Sequence, residues 1–151
     1  SYNPILAQNY IYTMTANGAV ISLNIKNGDV LWHENYFVFQ PMWLSGELLF
    51  AINHQNTILA IDKNNGAMIW NYQLPCHKDK NKWSSPIIAA NMLITARNDG
   101  LIMFFDGESG KLQQSFKCNY SGINSLTVSN GSLYAMTNNG KILRISVAIF
   151  K

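Results

Sequence analysis

Charge is what this sequence has least of. Lys, Arg, Asp and Glu make up 13% of its 151 residues, about half of the usual share of about 25%. Eleven basic against eight acidic residues leave a net charge of +3. That is too weak and too scattered for a nucleic-acid surface, which needs a clustered basic face interleaved with aromatics. The one cluster, Lys78, Lys80 and Lys82, reads as a solvated loop. Cysteine is nearly missing too. Cys76 and Cys118 fall in connections of different repeats, so they read as separate thiols rather than a disulfide. No apolar run reaches the roughly 18 residues of a membrane-spanning helix, and no signal peptide is visible. The abrupt opening, SYNPILA, leaves room for a preceding segment, so no compartment is read from it.

Helical periodicity is the last absence. In its place stand short β-branched and aromatic runs separated by Asn-Gly or Asp-Gly. YIYTMTANGAVISLNI turns at Asn17 and Gly18, LITARNDGLIMFFD at Asp99 and Gly100, and LYAMTNNGKILRIS at Asn139 and Gly140. These read as two-residue hairpin turns with positive φ at both central residues. Apolar residues, 48% of the chain, suffice for one domain with a real core. Nineteen asparagines supply much of the neutral polar surface.

A phrase also repeats. KNGDVLW places Gly28 and Trp32 as KNNGAMIW places Gly66 and Trp70, 38 positions later. Stacked by their turns, four units appear at about 4–36, 41–74, 85–117 and 125–151. The second reads as strands near 41–45, 47–53, 57–62 and 67–74. The third keeps Gly110 but has Gln114 in the Trp position, and the fourth stops after its third strand. Four-stranded units of about 40 residues are the mark of a β-propeller. The expected fold is therefore all-β, four antiparallel blades with the last lacking its outer strand. In this reading the Gly ends a turn passing through positive φ, and the Trp lies flat against a neighbouring blade. Each unit needs such a contact because it cannot cover its own faces. Asn24, Asp62 and Asp106 stand where a side chain caps the following turn.

AIDKNNGAMIW resembles the PQQ-like (quinoprotein) propeller repeat, Ala-x-Asp-x-x-x-Gly-x-x-x-Trp, with SLNIKNGDVLW and FFDGESGKLQQ as weaker copies. Within that superfamily the chain is similar to the C-terminal half of the BamB-like outer-membrane assembly lipoproteins. The residues that carry this are NPILAQNYIYTMTANG, SSPIIAANMLITARNDGLIMFFDGESGKL and the ending SNGSLYAMTNNGKILRIS. The resemblance implies an eight-bladed ring whose last blade is completed by a strand from the N-terminal region. Four blades and the lipidated cysteine would then lie outside these residues. The expectation is a fragment of a longer protein, or two copies closing one ring, and the two are compatible. Open edges invite self-association.

Quinoprotein dehydrogenases of this superfamily hold pyrroloquinoline quinone and calcium with converging carboxylate and amide ligands, a Trp and adjacent cysteines. Here the cysteines are 42 positions apart and the eight acidic residues are scattered, whereas a hard cation needs several oxygens at one point. His33, His54 and His77 have no ligand spacing, and no Gly-x-Ser-x-Gly occurs. No cofactor, metal or enzymatic activity is expected. The candidate partner-binding residues are Tyr36, Phe37, Phe39, Trp43 and Trp83 as exposed aromatics. The plainer alternative for them is packing between blades. In BamB-like proteins the surface for the barrel-forming subunit's POTRA region lies around the middle blades, so only Ser1, Tyr2 and Asn3 would touch it here. The reading is a non-catalytic periplasmic scaffold of outer-membrane protein assembly. The alternatives are a fragment of a PQQ-dependent dehydrogenase and a sensor or ligand-binding propeller domain.

Overall fold

The computed structural model describes residues 3–76 and 82–147, and every regular element in them is a β-strand. The chain divides into two units, Ser1–Leu74 and Pro75–Lys151.

The first unit holds two four-stranded antiparallel sheets. One comprises β1 (Ile5–Ala7), β2 (Tyr10–Met14), β3 (Val20–Asn24) and β4 (Val30–Glu34), paired in that order. The other comprises β5 (Trp43–Ser45), β6 (Leu48–Ile52), β7 (Thr57–Asp62) and β8 (Met68–Gln73). Successive side chains of a strand point to opposite faces, so Tyr12, Val20 and Trp32 of the first sheet meet Leu49, Ala51, Leu59 and Ile61 of the second. The second unit repeats the plan. Its four-stranded sheet is β9 (Ile87–Ala89), β10 (Met92–Ala96), β11 (Leu101–Asp106) and β12 (Leu112–Lys117). The final sheet has three strands among the described residues, β13 (Ile123–Ser129), β14 (Ser132–Thr137) and β15 (Ile142–Ile145). Ile94, Ile102 and Phe104 pack there against Ile123, Leu126 and Leu133. The all-β reading is what the chain adopts, with three strands in the last blade among the described residues.

The hairpin turns differ from the sequence reading. Thr15 donates its amide to Ala19 at 2.8 Å and Gly18 donates to Thr15 at 2.9 Å. Of the loop residues only Gly18 has positive φ, as do Gly100 and Gly140 in their loops, while Asn17, Asp99 and Asn139 do not. These are three-residue loops, a tight turn followed by one left-handed residue. The Asn or Asp is free to turn its side chain back on the loop, as Asn17 does toward Thr15 and Asn139 toward Thr137. In the second sheet Asn56 takes the left-handed place, at φ 59°.

The outer hairpins share a feature that the repeat phrase does not announce. Each has a register shift, between Ser22 and Leu23, Ala60 and Ile61, and Phe104 and Phe105. The inserted residues are Leu31, Ile69 and Gln113, each just before the Trp position or its Gln114 equivalent. A bulge bends its strand and re-aims the neighbouring side chain.

Candidate functional site

Trp32 is buried, and its ring lies on the glycine of the next repeat. A Cβ on Gly66 would stand 2.6 Å from Trp32 Cε3, and the indole Nε1 donates to the Lys63 carbonyl at 2.9 Å. Tyr36, half-buried, donates its hydroxyl to the Gly66 carbonyl at 2.7 Å. Burial, with Glu34 nearby, raises its phenol above the ordinary value. Gly28, by contrast, has nothing within 4 Å of its would-be Cβ. Trp70 is half-buried on β8, its ring 5.9 Å from that of Phe50.

The turns before these contacts are built alike. Gly66 donates its amide to Asp62 at 2.9 Å, and Gly110 does the same to Asp106. The Asp62 carboxylate accepts the Asn64 amide at 2.7 Å, and that of Asp106 accepts the Ser109 amide at 2.8 Å. The Ser109 hydroxyl and amide hold the Asp106 carboxyl below its usual range. In both turns the carboxylate and the glycine serve the turn itself, and no metal-ligand set converges there among the described residues. No group of three or more His, Cys, Asp or Glu side chains that could hold a metal comes together among the described residues.

The exposed aromatic segment between β4 and β5 is a different matter. Val38 is buried and donates its amide to Gly18 at 2.9 Å, while His54 donates its amide to Phe37 at 3.0 Å. A Cβ on Gly18 would stand 2.7 Å from Phe39 Cζ, so the β2–β3 turn presses on this segment. Phe37 and Phe39 remain exposed with the His54 imidazole edge-on to both, at centroid distances of 5.4 and 6.4 Å. The sequence reading had no signal to bring His54 here, because the contact joins two turns of different sheets. Trp43 is exposed on β5, opposite Phe50 in register. Asn3 is exposed, while Ser1 and Tyr2, like His77, Lys78 and Lys80, lie outside the described residues.

Trp83 corrects its reading as an exposed anchor, because it is buried. It forms a β-bridge with Arg97, whose guanidinium sits 5.7 Å from the indole centroid. Arg97 donates from Nε and Nη2 to the two Asp99 oxygens at 2.8 and 2.9 Å, and from Nη1 to the Pro75 carbonyl at 3.0 Å. Lys117 adds a third cationic donor to Asp99 at 3.2 Å. Arg97, then burial working against it, then Lys117, leave the Asp99 carboxyl far below its usual range. Cys76 and Cys118 are not joined in a disulfide, and His33 and His54 are exposed.

Between the two sheets of the first unit lies a cavity of about 370 Å³, lined by Tyr10, Tyr12, Ser22, Asn24, Leu31, Lys63 and Asn64. Leu31 is the bulged residue of β4. Nothing in the sequence marks these residues as a group, since they come from three strands and a turn.

Residues 1–72 match the profile of the family described as outer membrane protein assembly factor BamB. The protein of that name from Shewanella oneidensis is 21% identical over 145 residues, which is 95% of this chain and 36% of the relative. The chain thus spans little more than a third of that curated relative. Among solved structures, BamB from Moraxella catarrhalis superposes with a TM-score of 0.72 at 22% identity, over 91% of this chain and 42% of the other. The quinohemoprotein alcohol dehydrogenase of Comamonas testosteroni reaches 0.73 at 14% identity, over 92% of this chain and 29% of the other. At these identities the structural likeness shows the fold alone.

Proposed function

Taking this chain as a BamB-like stretch of PQQ-like propeller, we propose that it is a non-catalytic docking scaffold for outer-membrane β-barrel assembly, working in the periplasm. The observation that carries the reading is the Phe37–His54–Phe39 cluster. Its backbone is held by hydrogen bonds to two turns, the Val38 amide donating to Gly18 and the His54 amide to Phe37, while both phenyl rings stay exposed. A rigid, prepositioned aromatic anchor loses little conformational freedom on binding, which favours protein docking over chemistry. The proposed partner is the barrel-forming subunit of the assembly machinery, through its POTRA region, met at this cluster rather than only at the Ser1–Asn3 edge that the resemblance implies. The relatives' shared name, an assembly factor of the outer membrane, supports that choice.

The test is biolayer interferometry between this chain and the soluble periplasmic region of a barrel-forming subunit. With Phe37→Ser and Phe39→Ser together, affinity should fall at least about tenfold, with an unchanged urea midpoint. Equal binding by the double variant would overturn the cluster as the anchor.

Self-association belongs to the same proposal. Among the described residues β15 pairs on one side only, with β14, and Met136 and Ile142 are exposed on that sheet. An unpaired strand beside apolar side chains is a template for another chain.

A further inference from the structure

The cavity of the first unit is walled by polar groups that the protein leaves unused. Tyr12 and Ser22 are each 1% exposed, yet neither hydroxyl has a hydrogen-bond partner among the described residues, and both line the cavity. Trp83 Nε1 is the sole buried side-chain N or O atom without a partner among the described residues, so these two hydroxyls open to the cavity and are free to meet water or a ligand there. Around these two the remaining groups divide into donors and acceptors. Asn24 accepts the Lys26 amide through Oδ1 at 2.9 Å, which leaves its amino group as a donor. Asn64 donates Nδ2 to Glu47 at 3.0 Å, which leaves its carbonyl oxygen as an acceptor. Lys63 is not a free cation. Its ammonium donates to Glu47 at 2.7 Å and to the Gly46 carbonyl at 3.0 Å, with one N–H to spare.

We propose that this cavity is a binding site for a short neutral saccharide. A carboxylate or phosphate would call for donors alone and an unspent positive charge, and a metal ion for oxygen acceptors alone. Sugar hydroxyls both donate and accept, and that is the mixture offered by Tyr12, Ser22, Asn24, Asn64 and the spare Lys63 N–H. The bulge that sets Leu31 on the wall adds an apolar patch suited to the C–H face of a pyranose ring. A volume of about 370 Å³ falls in the range of about 300–1,000 Å³ typical of ligand pockets. The site shares no residue with the Phe37–His54–Phe39 cluster and does not depend on the docking role.

The test is a titration of the ¹⁵N-labelled chain, followed by amide shifts, with N-acetylglucosamine, its β-1,4-linked disaccharide and maltose as neutral probes. Acetate and inorganic phosphate serve as anionic probes. The expected result is a set of saturable shifts at Ser22, Asn24, Lys63 and Asn64, with millimolar affinity, from at least one sugar and from neither anion. Tyr12→Phe and Ser22→Ala each remove one hydroxyl only, and each should weaken that binding about fivefold. If Tyr12→Phe disturbs folding, Ser22→Ala alone decides. Silence from all three sugars, shifts from the anions instead, or sugar binding unchanged in Ser22→Ala would each overturn the proposal.

Discussion

Trp32 and Gly66 form a single contact: the indole covers the glycine so closely that a Cβ would intrude to 2.6 Å, and the indole Nε1 bonds the carbonyl of Lys63 three residues before that glycine. The repeated phrase is therefore one half of an interaction. Here the first copy supplies the ring and the second supplies the glycine.

Gly28 and Gly66 allow that contact to be weighed. Both have nearly the same backbone, φ 76° and 77°, so alanine strains each equally, by about 1 kcal/mol. At Gly28 the added methyl meets nothing. At Gly66 it meets the rigid Trp32 ring, and overpacking adds about 2 kcal/mol more. Urea denaturation should show Gly66→Ala destabilised well beyond Gly28→Ala. Equal losses would mean that the indole yields freely.

Trp32 and Trp83 are almost equally buried, at 8% and 6% exposed, but their indole nitrogens differ. That of Trp32 bonds Lys63, whereas that of Trp83 has no partner among the described residues. Trp32→Phe should cost about 2 kcal/mol, from a lost hydrogen bond and a smaller ring. Trp83→Phe should cost less than about 1 kcal/mol, because removing an unsatisfied N–H offsets the lost volume. Chemical denaturation of both variants checks the order.

Asp99 makes stability depend on acid. Its carboxyl titrates lower in the folded chain than in the unfolded one, chiefly because of Arg97. The ion pair therefore contributes fully above the unfolded value of about 3.9, and the contribution fades as pH falls below it toward the depressed folded value. A third of the Asp99 side chain is exposed, so screening limits the contribution to about 1 kcal/mol. Urea midpoints of the parent and Asp99→Asn should differ near neutral pH and converge in acid. A gap that stays constant would show that the pair adds nothing.

Ile142 tests the open sheet. It is 69% exposed on β15, which among the described residues pairs on one side only. Ile142→Lys should leave the urea midpoint within about 0.5 kcal/mol, and should lower the weight-average mass in light scattering if copies associate through that face. A parent chain that stays monomeric at every concentration would remove self-association from the proposal.

Much of the fold can be read in the sequence because it is local. Alternating runs and the Asn-Gly or Asp-Gly signals placed the hairpins at Gly18, Gly100 and Gly140, and the three strands described in the last sheet follow three such runs. The loop type did not show. Asn-Gly fits a two-residue turn and a three-residue loop equally well, and the pairing of Thr15 with Ala19 chooses between them. Trp83 looked like a loop tip because Lys78, Lys80 and Lys82 precede it. Its burial goes with Arg97, across whose backbone it bridges, and the Arg97 guanidinium also bonds the Pro75 carbonyl, 22 residues away. Pairings that far apart leave no local pattern.

The sequence by itself determined the units: strand periodicity, glycines where the chain must pass through positive φ, and a Trp at a fixed offset from two of them, all set by interactions within a few residues. Tertiary structure decided which surfaces those units present. The bulge at Leu31, the seating of Trp32 on Gly66, the His54 imidazole between two phenyl rings and the polar cavity around Tyr12 and Ser22 each require two distant segments to arrive in register. Register is fixed by burying whole sheet faces together, a condition that no single stretch of sequence contains.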